Sequence, residues 1–202
     1  MDVRRVVQCE TQPCVDVVHE RFVVPAVRVD SGGVRIIMVS EAPPADPSDW
    51  FYAGPDALFA QTTVQAFQDA GADVGSIADV LRLGVYLTTA VKCGKTSYGV
   101  TGPTIDACSA LLEAELALFP SAKALMLMGD VAIRSLNAIA RRNGEPRVIP
   151  TGATYKLRGE RFTWRGLRAF PSYVQSGPAF YIEKGKRRMI AEDIAAALEY
   201  VR

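Results

Sequence analysis

A short apolar run near residue 36 constrains the fold of this chain more than any other stretch. Residues 36–39 (Ile-Ile-Met-Val) are mostly β-branched, and the run is too short for a helix, so it predicts a buried strand. A serine, Glu41, an alanine and two prolines follow at once and end the strand abruptly. In an open α/β sheet, ligands bind beyond the carboxyl ends of the strands. Glu41 is therefore a candidate active-site acid, and the alternative is a solvated or capping carboxylate in an ordinary loop.

Further apolar runs alternate with segments of helical spacing. Residues 85–91, 124–128 and 167–170 predict three more buried strands. Helices are predicted over 58–70, from Thr104 as N-cap to Pro120, from 130 to about 142, and over 189–201. Residues 147–168 predict a hairpin around Gly159. This alternation favours one α/β domain over residues 1–202, a three-layer α/β/α sandwich around a mainly parallel four-stranded sheet.

Composition excludes several classes of protein. The chain has 202 residues, of which 49% are apolar, which is enough for one well-packed core. No run approaches the roughly 18 uninterrupted apolar residues of a membrane span. The N-terminus lacks the apolar stretch of a signal peptide. We therefore expect a cytoplasmic protein without a membrane partner, and a monomer.

Charge is distributed unevenly along the chain. The net charge is +1, but residues 134–188 carry a local balance of +10 and the remainder carries −9. Such asymmetry is typical of a nucleic-acid-binding face on a nearly neutral protein. The basic run 184–188 makes Lys186 and Arg187 candidate phosphate contacts. The alternative is that these charges form solvated strand and helix faces, with the run as a solvated helix entrance.

Four cysteines occur in two pairs, Cys9 with Cys14 and Cys93 with Cys108. In a cytosolic chain, an even set in two pairs favours a metal or iron–sulfur site over disulfides. Because the chain has one histidine, an all-cysteine site suits a four-iron four-sulfur (4Fe-4S) cluster, or zinc as the alternative. Four unrelated buried thiols are the remaining interpretation.

Other common sites leave no trace in the sequence. Neither a Gly-rich dinucleotide motif, nor a phosphate-binding Walker loop, nor a zinc-protease helix occurs. The single histidine, His19, lies in the irregular N-terminal region, which argues against a Ser–His–Asp triad. The aromatic residues 50–52 (Trp-Phe-Tyr) could stack on a planar ring or could plug the core.

Taken in chain order from about Cys9 to the end, these motifs resemble the uracil-DNA glycosylase superfamily, in particular its iron–sulfur branch (families 4 and 5). That branch has a Gly-Glu-Ala-Pro-Gly turn, which is similar to Ser-Glu-Ala-Pro-Pro at 40–44. An aromatic residue before a glycine turn corresponds to 52–54. Its Thr-Asn-x-Val-Lys-Cys strand end is similar to Thr-Thr-Ala-Val-Lys-Cys at 88–93. A strand running into Leu-Gly resembles 127–130, and its His-Pro-Ser motif resembles Phe-Pro-Ser at 170–172.

The resemblance implies roles for particular residues. Glu41 would orient the attacking water, and Ala42 would supply backbone contacts near it. Tyr52 would stack on the base, with Phe51 as the alternative one position earlier. The positions that contact the base would be Thr89 and Phe170.

The resemblance also implies a DNA-binding surface and a cofactor. Pro171 and Ser172 would grip the phosphates beside the flipped nucleotide. Tyr173, Val174 and Gln175 could form the wedge that fills the vacated stack. The four cysteines would be the ligands of the 4Fe-4S cluster. The implied partner is DNA that contains uracil or another deaminated base.

Three departures from the family pattern bear on activity. Thr89 in place of asparagine removes a side chain that can both donate and accept toward the base edge. Phe170 in place of histidine removes a polar group that helps to stabilise the departing base, and Pro44 in place of glycine removes a backbone N–H. The sequence therefore predicts a DNA glycosylase that acts on uracil or another deaminated base in base-excision repair. One alternative is a weak or inactive nucleic-acid-binding relative on the same scaffold, and another is a small-molecule α/β enzyme with a zinc site.

Overall fold

The computed structural model describes residues 2–97 and 99–202. Seven strands are formed in this part of the chain: β1 (Val17–Val18), β2 (Ile36–Ser40), β3 (Val85–Thr89), β4 (Gly94–Lys95), β5 (Ala124–Met128), β6 (Phe162–Trp164) and β7 (Leu167–Ser172). Five of them make one sheet in the order β3-β2-β5-β7-β6. The first four strands of that order are parallel, and β6 joins the edge antiparallel to β7. The predicted parallel sheet is confirmed, with one additional edge strand.

Seven α-helices connect or flank these strands: α1 (Leu58–Asp69), α2 (Ile77–Arg82), α3 (Gly102–Leu116), α4 (Asp130–Arg142), α5 (Thr154–Leu157), α6 (Ala179–Ile182) and α7 (Lys184–Val201). Helices α3 and α4 pack against each other, and α4 also contacts the sheet; α1 and α7 pack together with α7 on the sheet. We call the two sides of the sheet the α3/α4 face and the α1/α7 face. The predicted three-layer α/β/α architecture is therefore confirmed.

Strand β2 lies at the centre of both cores, and all five of its residues are buried. Because alternate side chains of a strand point to opposite faces, Ile37 and Val39 join the core on the α3/α4 face. Ile36 and Met38 join the core on the α1/α7 face. Ser40 follows in the same alternation, so its side chain lies on the α1/α7 face at the carboxyl end of the sheet.

The predicted hairpin around Gly159 is wrong in its position. The turn lies at Arg165 and Gly166, where φ is 48° and 83°, and Trp164 pairs with Leu167 on either side of it. A two-residue hairpin loop of this kind needs positive φ at both central positions, and glycine supplies that without steric cost. Gly159 instead lies after α5 and before β6.

Two helix starts also differ from the prediction. Helix α3 begins at Gly102, so Thr104 lies in its first turn and is not the N-cap. The carboxylate of Asp16 takes on that capping function, because its Oδ2 accepts from the backbone N–H of Thr101 at 2.6 Å and its Oδ1 accepts from the Thr104 hydroxyl. Helix α7 begins at Lys184, so the basic run lies inside the helix rather than before it.

The N-terminal segment is fastened to the connection between β3 and α3. Strands β1 and β4 form a separate antiparallel pair in which Val17 lies opposite Lys95. The backbone N–H of Val23 also donates to the carbonyl of Lys92 at 2.7 Å. These contacts bring the segment that contains Cys9 and Cys14 beside the segment that contains Cys93 and Cys108. Across residues 2–97 and 99–202, none of the helices has the length and apolar character that crossing a bilayer would require.

Candidate active site and cysteine group

Glu41 lies directly beyond the carboxyl end of β2, as the sequence predicts. Its backbone carbonyl accepts from Val91 N–H at 2.9 Å, which fixes the turn against the end of β3. Its carboxylate Oε2 lies 3.0 Å from Nζ of Lys95, and the two side chains are 26% and 25% exposed. A partly exposed carboxylate held by a cation is suited to orient a water or to balance a developing positive charge. The sequence pattern did not single out Lys95, because its contact depends on the β1–β4 pairing.

The absence of a side chain at Gly129 leaves space for the Glu41 carboxylate. The φ of Gly129 is +102°, and a Cβ built there would lie 2.5 Å from Cγ2 of Val174 and 3.3 Å from Oε1 of Glu41. Residues other than glycine rarely adopt this backbone conformation, and Val174 and Glu41 already occupy the space that a side chain would need. The backbone N–H of Gly129 donates to the carbonyl of Ser172 at 3.0 Å. Gly129 therefore brings the ends of β5 and β7 together next to the carboxylate.

Phe170 does not lie at this edge of the sheet. It pairs with Met126 in the register of β5 and β7, two residues before β7 ends. Its ring is 6% exposed in the core of the α1/α7 face, with the Tyr200 ring centroid at 6.1 Å and the Arg168 guanidinium 4.9 Å from the ring centroid. The structure places Val174, and not Phe170, beside Glu41. The base contact implied for Phe170 therefore does not fit its position, because β7 continues to Ser172 instead of ending at Phe170 as the sequence predicts.

Pro171 and Ser172 are also buried within β7. The Ser172 hydroxyl donates to Oδ2 of Asp193 at 2.6 Å, and Arg158 pairs with the same carboxylate at 2.9 Å. Burial raises the pKa of Asp193, and the hydrogen bonds from Arg158 and Ser172 oppose that shift. The Ser172 hydroxyl thus joins β7 to α7 instead of facing solvent, which does not fit the phosphate contact implied for its side chain.

The residues that follow β7 have three different environments. Tyr173 is half-buried, and the Lys186 ammonium lies 5.4 Å from its ring centroid. Val174 is half-buried against Gly129. Gln175 is completely buried, and its Oε1 accepts a hydrogen bond from the Ser40 hydroxyl at 3.0 Å. A wedge must reach into the duplex, so the burial of Gln175 does not fit that role, whereas the exposure of Tyr173 is compatible with it.

Thr89 ends β3 directly opposite Ser40 in the parallel register. Its side chain is fully buried, and no hydrogen-bond partner of its Oγ1 is found among the described residues. The same holds for Nε2 of Gln175. The backbone carbonyl of Thr89 accepts from Nζ of Lys92 at 2.5 Å, which fixes the end of the strand. Two unsatisfied polar groups thus lie near the carboxyl ends of β2 and β3.

The aromatic residues after the Glu41 turn lie on the α1/α7 face. The Tyr52 hydroxyl donates to the Leu87 carbonyl at 2.9 Å and accepts from the Leu87 N–H at 3.2 Å. Burial raises the pKa of Tyr52, so its hydroxyl stays protonated. Phe51 is 1% exposed, with the Phe59 ring centroid at 5.2 Å. Phe51 is therefore a core residue, while Tyr52, half-buried on edge strand β3, keeps part of its surface accessible.

Ala42, the residue after Glu41, is buried with 5% exposure in the core of the α3/α4 face. Its methyl group packs inward, so a contact with a ligand would have to come from its backbone. That is the kind of contact the resemblance implies for it.

The two basic residues singled out on α7 are already paired. Lys186 contacts Oε1 of Glu183 at 2.7 Å, and Arg187 contacts both carboxylate oxygens of Asp69 at 2.5 and 2.8 Å. The Arg187 pair joins α7 to α1 and lowers the pKa of Asp69. To bind a phosphate, Lys186 and Arg187 would each have to contact it in addition to the carboxylate with which they are already paired.

The four cysteines influence one another electrostatically. Burial and the neighbouring thiols of Cys108, Cys9 and Cys14 raise the pKa of Cys93 to about 12. Burial also raises the pKa values of Cys14 and Cys108. Yet no three of the His, Cys, Asp and Glu side chains in residues 2–97 and 99–202 converge in a geometry that would hold a metal ion. The two pairs are brought to one end of the molecule, but not to bonding distance.

Polar groups accompany these thiols. The backbone N–H of Lys92 donates to Sγ of Cys108 at 3.4 Å. His19 lies with Nδ1 4.0 Å from Sγ of Cys93 and Nε2 2.8 Å from the carbonyl of Cys14. Hydrogen bonds to sulfur stabilise thiolates and are the usual surroundings of metal-ligating cysteines.

A fully buried ion pair lies between the cysteines and the end of β3. Lys92 pairs with Glu115 of α3, and both side chains are 0% exposed. Tyr86 and Thr88 donate their hydroxyls to Oε1 of Glu115 at 2.7 and 2.9 Å. The network connects α3 with β3 and, through Lys92, with the carbonyl of Thr89. The sequence predicts the strand that precedes Lys92, but not that the charge of Lys92 is buried.

Comparison with curated proteins found a similarity that covers about half of the chain. The chain is 36% identical over 100 residues to the type-5 uracil-DNA glycosylase of Thermus thermophilus, which corresponds to 49% of this chain and 46% of that protein. The chain therefore spans about half the length of the curated relative it matches. The scan against protein-family models found no match. Over half of its length, this chain with its mainly parallel α/β sheet is therefore similar to a uracil-DNA glycosylase.

Proposed function

We propose that this protein is a DNA glycosylase that hydrolyses the N-glycosidic bond of uracil, or of another deaminated base, in base-excision repair. The observation that carries the proposal is the position of Glu41 beyond β2, with its carboxylate beside Lys95 and its turn against the end of β3. The similarity to a type-5 uracil-DNA glycosylase supports the same chemistry. It does not favour the alternative of an inert relative.

The substrate base must leave the duplex before it can reach these groups, because its glycosidic bond is inaccessible inside the stack. Glu41 would then hold a water on the sugar side of the bond and accept its proton as the bond breaks. Lys95 would keep the carboxylate in one orientation. Backbone N–H groups of the turn after Glu41 would stabilise the negative charge of the departing base, although Pro43 and Pro44 contribute none.

The base itself would enter on the α1/α7 face. The ring of Tyr52 would provide the stacking surface there, since its hydroxyl is anchored to the backbone of Leu87 and the ring is fixed in place. Thr89 lies on the same strand, two residues further on and on the same face. Its free hydroxyl is a polar group in reach of a base stacked on Tyr52.

We propose that Cys9, Cys14, Cys93 and Cys108 hold a 4Fe-4S cluster, with zinc as the alternative. The donor set fits: burial and neighbouring thiols raise the pKa values of Cys14, Cys93 and Cys108, so a cationic centre would stabilise their thiolates, and Lys92 N–H already donates to Cys108. When bound, the cluster would cross-link the N-terminal segment to the connection between β3 and α3, without taking part in bond cleavage. The thiols would move into bonding geometry on binding.

The decisive experiment uses a duplex oligonucleotide that carries a single uracil. Purified wild type should generate an abasic site, detected as a strand break after alkali treatment. Glu41→Gln should lose activity by about 10²–10⁴-fold, the usual contribution of a positioned acid or base. Glu199→Gln removes a carboxylate on the exposed side of α7 and serves as the matched control.

Hypoxanthine and xanthine oligonucleotides extend the same assay to other deaminated bases. Excision that disappears in Glu41→Gln but persists in Glu199→Gln supports the proposal. If wild type releases none of these bases above the Glu41→Gln background, the glycosylase function is excluded.

A further inference from the structure

Two polar atoms on the α1/α7 face lack the partners that buried groups normally have. Nε2 of Gln175 and Oγ1 of Thr89 make no hydrogen bond within the described residues, although both side chains are 0% exposed. Leaving a buried donor or acceptor unsatisfied costs about 1–3 kcal/mol, so such groups usually mark a missing ligand or water. Both residues belong to the end of the sheet where Glu41 lies.

The two groups are neighbours through Ser40. Ser40 and Thr89 are directly opposite in the parallel register, and adjacent strands lie about 4.8 Å apart. Opposed residues of parallel strands point to the same face, so both hydroxyls lie on the α1/α7 face. Gln175 Oε1 lies 3.0 Å from the Ser40 hydroxyl, so its amide reaches the carboxyl end of β2, the strand whose last residue is opposite Thr89.

The hydrogen bond from Ser40 also orients the amide. The Ser40 hydroxyl donates to Oε1 of Gln175, which leaves the NH₂ group as the unsatisfied end. An amide nitrogen can only donate, so the group matches a carbonyl oxygen and not an amino group. Tyr52, whose ring would stack the base, is fastened to Leu87 on the same face as Thr89. Stacking surface, fixed donor and free hydroxyl thus lie around one site.

We infer that Gln175 determines base specificity, with Nε2 donating to a ring carbonyl oxygen of the flipped base while Thr89 offers its hydroxyl beside it. The inference rests on the proposed function and deepens it by naming the residue that would select the base. Deamination replaces an exocyclic amino group by a carbonyl, as in uracil from cytosine and hypoxanthine from adenine. The undamaged base would present its amino group to the amide NH₂, so two donors would face each other and the base would be rejected.

The test measures binding separately from catalysis. Duplexes carry 2′-fluoro-2′-deoxyuridine or 2′-fluoro-2′-deoxycytidine at one position opposite a mismatched base, because the fluorine disfavours a cationic sugar and suppresses hydrolysis. Wild type should bind the uridine duplex at least about 10-fold more tightly, which corresponds to roughly 1.4 kcal/mol. Gln175→Glu keeps the shape but replaces the NH₂ donor by an oxygen, and should reduce this ratio by about 10-fold or more. Gln61→Glu, an exposed position on α1, is the charge-matched control and should keep the wild-type ratio.

A buried carboxylate could impair folding, so a second variant is included. In Gln175→Met, the methionine side chain has about the same length but carries neither a charge nor a hydrogen-bond donor. This variant should lower the ratio of uridine to cytidine binding. Its thermal unfolding midpoint shows whether the fold is kept. A merely structural role for Gln175 would weaken both duplexes equally and leave the ratio unchanged. An unchanged ratio in a folded Gln175 variant, or a wild type without preference, would overturn the inference.

The two proposals fail in distinguishable ways. If wild type excises uracil and folded Gln175 variants keep the binding ratio, the function stands and the role of Gln175 is wrong. If wild type prefers the uridine duplex through Gln175 but releases no base, the amide reads the base and the hydrolytic function is wrong.

Discussion

The carboxylate of Glu41 lies 3.0 Å from the ammonium of Lys95, although 54 positions separate the two residues. Lys95 belongs to β4, which is held in place by its pairing with β1. The segment that carries Cys14 is therefore joined to the candidate catalytic acid through a single strand pair. The β1–β4 pair therefore positions both Lys95 beside Glu41 and the segment that carries Cys14.

We expect Lys95→Met to slow uracil excision by about 10-fold or more, because the Glu41 carboxylate would lose the cation that fixes its orientation. Single-turnover rates with protein in excess separate this effect from weaker DNA binding. Lys184→Met, at an exposed position on α7, is the control that removes a charge elsewhere. Equal rates in Lys95→Met and wild type would contradict a positioning role for Lys95.

We expect Gly129→Ala to impair both stability and excision. The added methyl would meet Val174 at 2.5 Å and Glu41 at 3.3 Å, on a backbone with a φ of +102°. Strain at such a position costs on the order of 1–3 kcal/mol. Gly159→Ala is the matched control, since nothing lies within 4 Å of a Cβ there. Thermal unfolding and excision rates for the two variants test this, and similar values for both would show that the space beside Glu41 is unimportant.

We expect Lys92→Met to destabilise the protein by about 3–5 kcal/mol, since removal of one partner leaves the other charge of a buried ion pair uncompensated. The double variant Lys92→Met, Glu115→Leu should recover part of this loss, because no buried charge would remain. Urea unfolding of the wild type and of both variants measures the free energies. If the double variant is no more stable than Lys92→Met alone, the charge explanation is wrong.

We expect the wild-type protein to contain iron and to absorb visible light through thiolate–iron charge transfer. Cys93→Ser and Cys14→Ser should each lower the iron content, because each removes one of four ligands. Limited proteolysis should then cut the first 33 residues faster than in wild type, since the cross-link to the β3–α3 connection is lost. A colourless, iron-free and fully folded wild type would exclude the cluster, and stoichiometric zinc in it would support the alternative.

The stability of the protein should fall in acid partly through Glu113. Burial raises the pKa of this carboxyl, but hydrogen bonds from Arg142, Arg165 and Asn143 outweigh it and lower the pKa below 4.5. A lowered pKa in the folded state adds stability above the unfolded pKa, and this contribution is lost as the pH falls through the folded pKa. Glu113→Gln should therefore be less stable than wild type at pH 7, with the difference shrinking as the pH falls through the folded-state pKa of Glu113.

Denaturant unfolding at several pH values measures that difference. Glu199→Gln, which removes an exposed carboxylate for which no ion pair is found in the described part of the chain, is the control for loss of a surface charge. A Glu113→Gln difference that is the same at pH 7 and pH 3 would contradict the ionic explanation.

Local patterns were sufficient for most of the scaffold. The run at 36–39 predicts β2, and the position of Glu41 directly after it is confirmed. The run at 124–128 matches β5 to the residue, and helical spacing locates α1 and α4. These features depend on neighbours within a few positions, and hydrophobic periodicity records such neighbours directly.

The same patterns could not identify which side chains meet. The alignment by motif letters placed Phe170 in the site, but the register of β7 against β5 puts it two residues before the strand end and inside the core. The register of a strand against its neighbour decides which face each side chain occupies. A motif that occurs in the right order along the chain can therefore lie outside the pocket.

The sequence by itself determined an α/β sandwich in which the strand at 36–39 places Glu41 at the carboxyl edge of the sheet, because strand and helix periods depend on neighbouring residues. Only the tertiary structure decided that Lys95 holds this acid and that Gln175, 135 positions from Ser40, accepts a hydrogen bond from the Ser40 hydroxyl. Those contacts follow from how distant segments cross at the sheet edge. Their geometry is fixed by strand order and packing, which no local pattern contains.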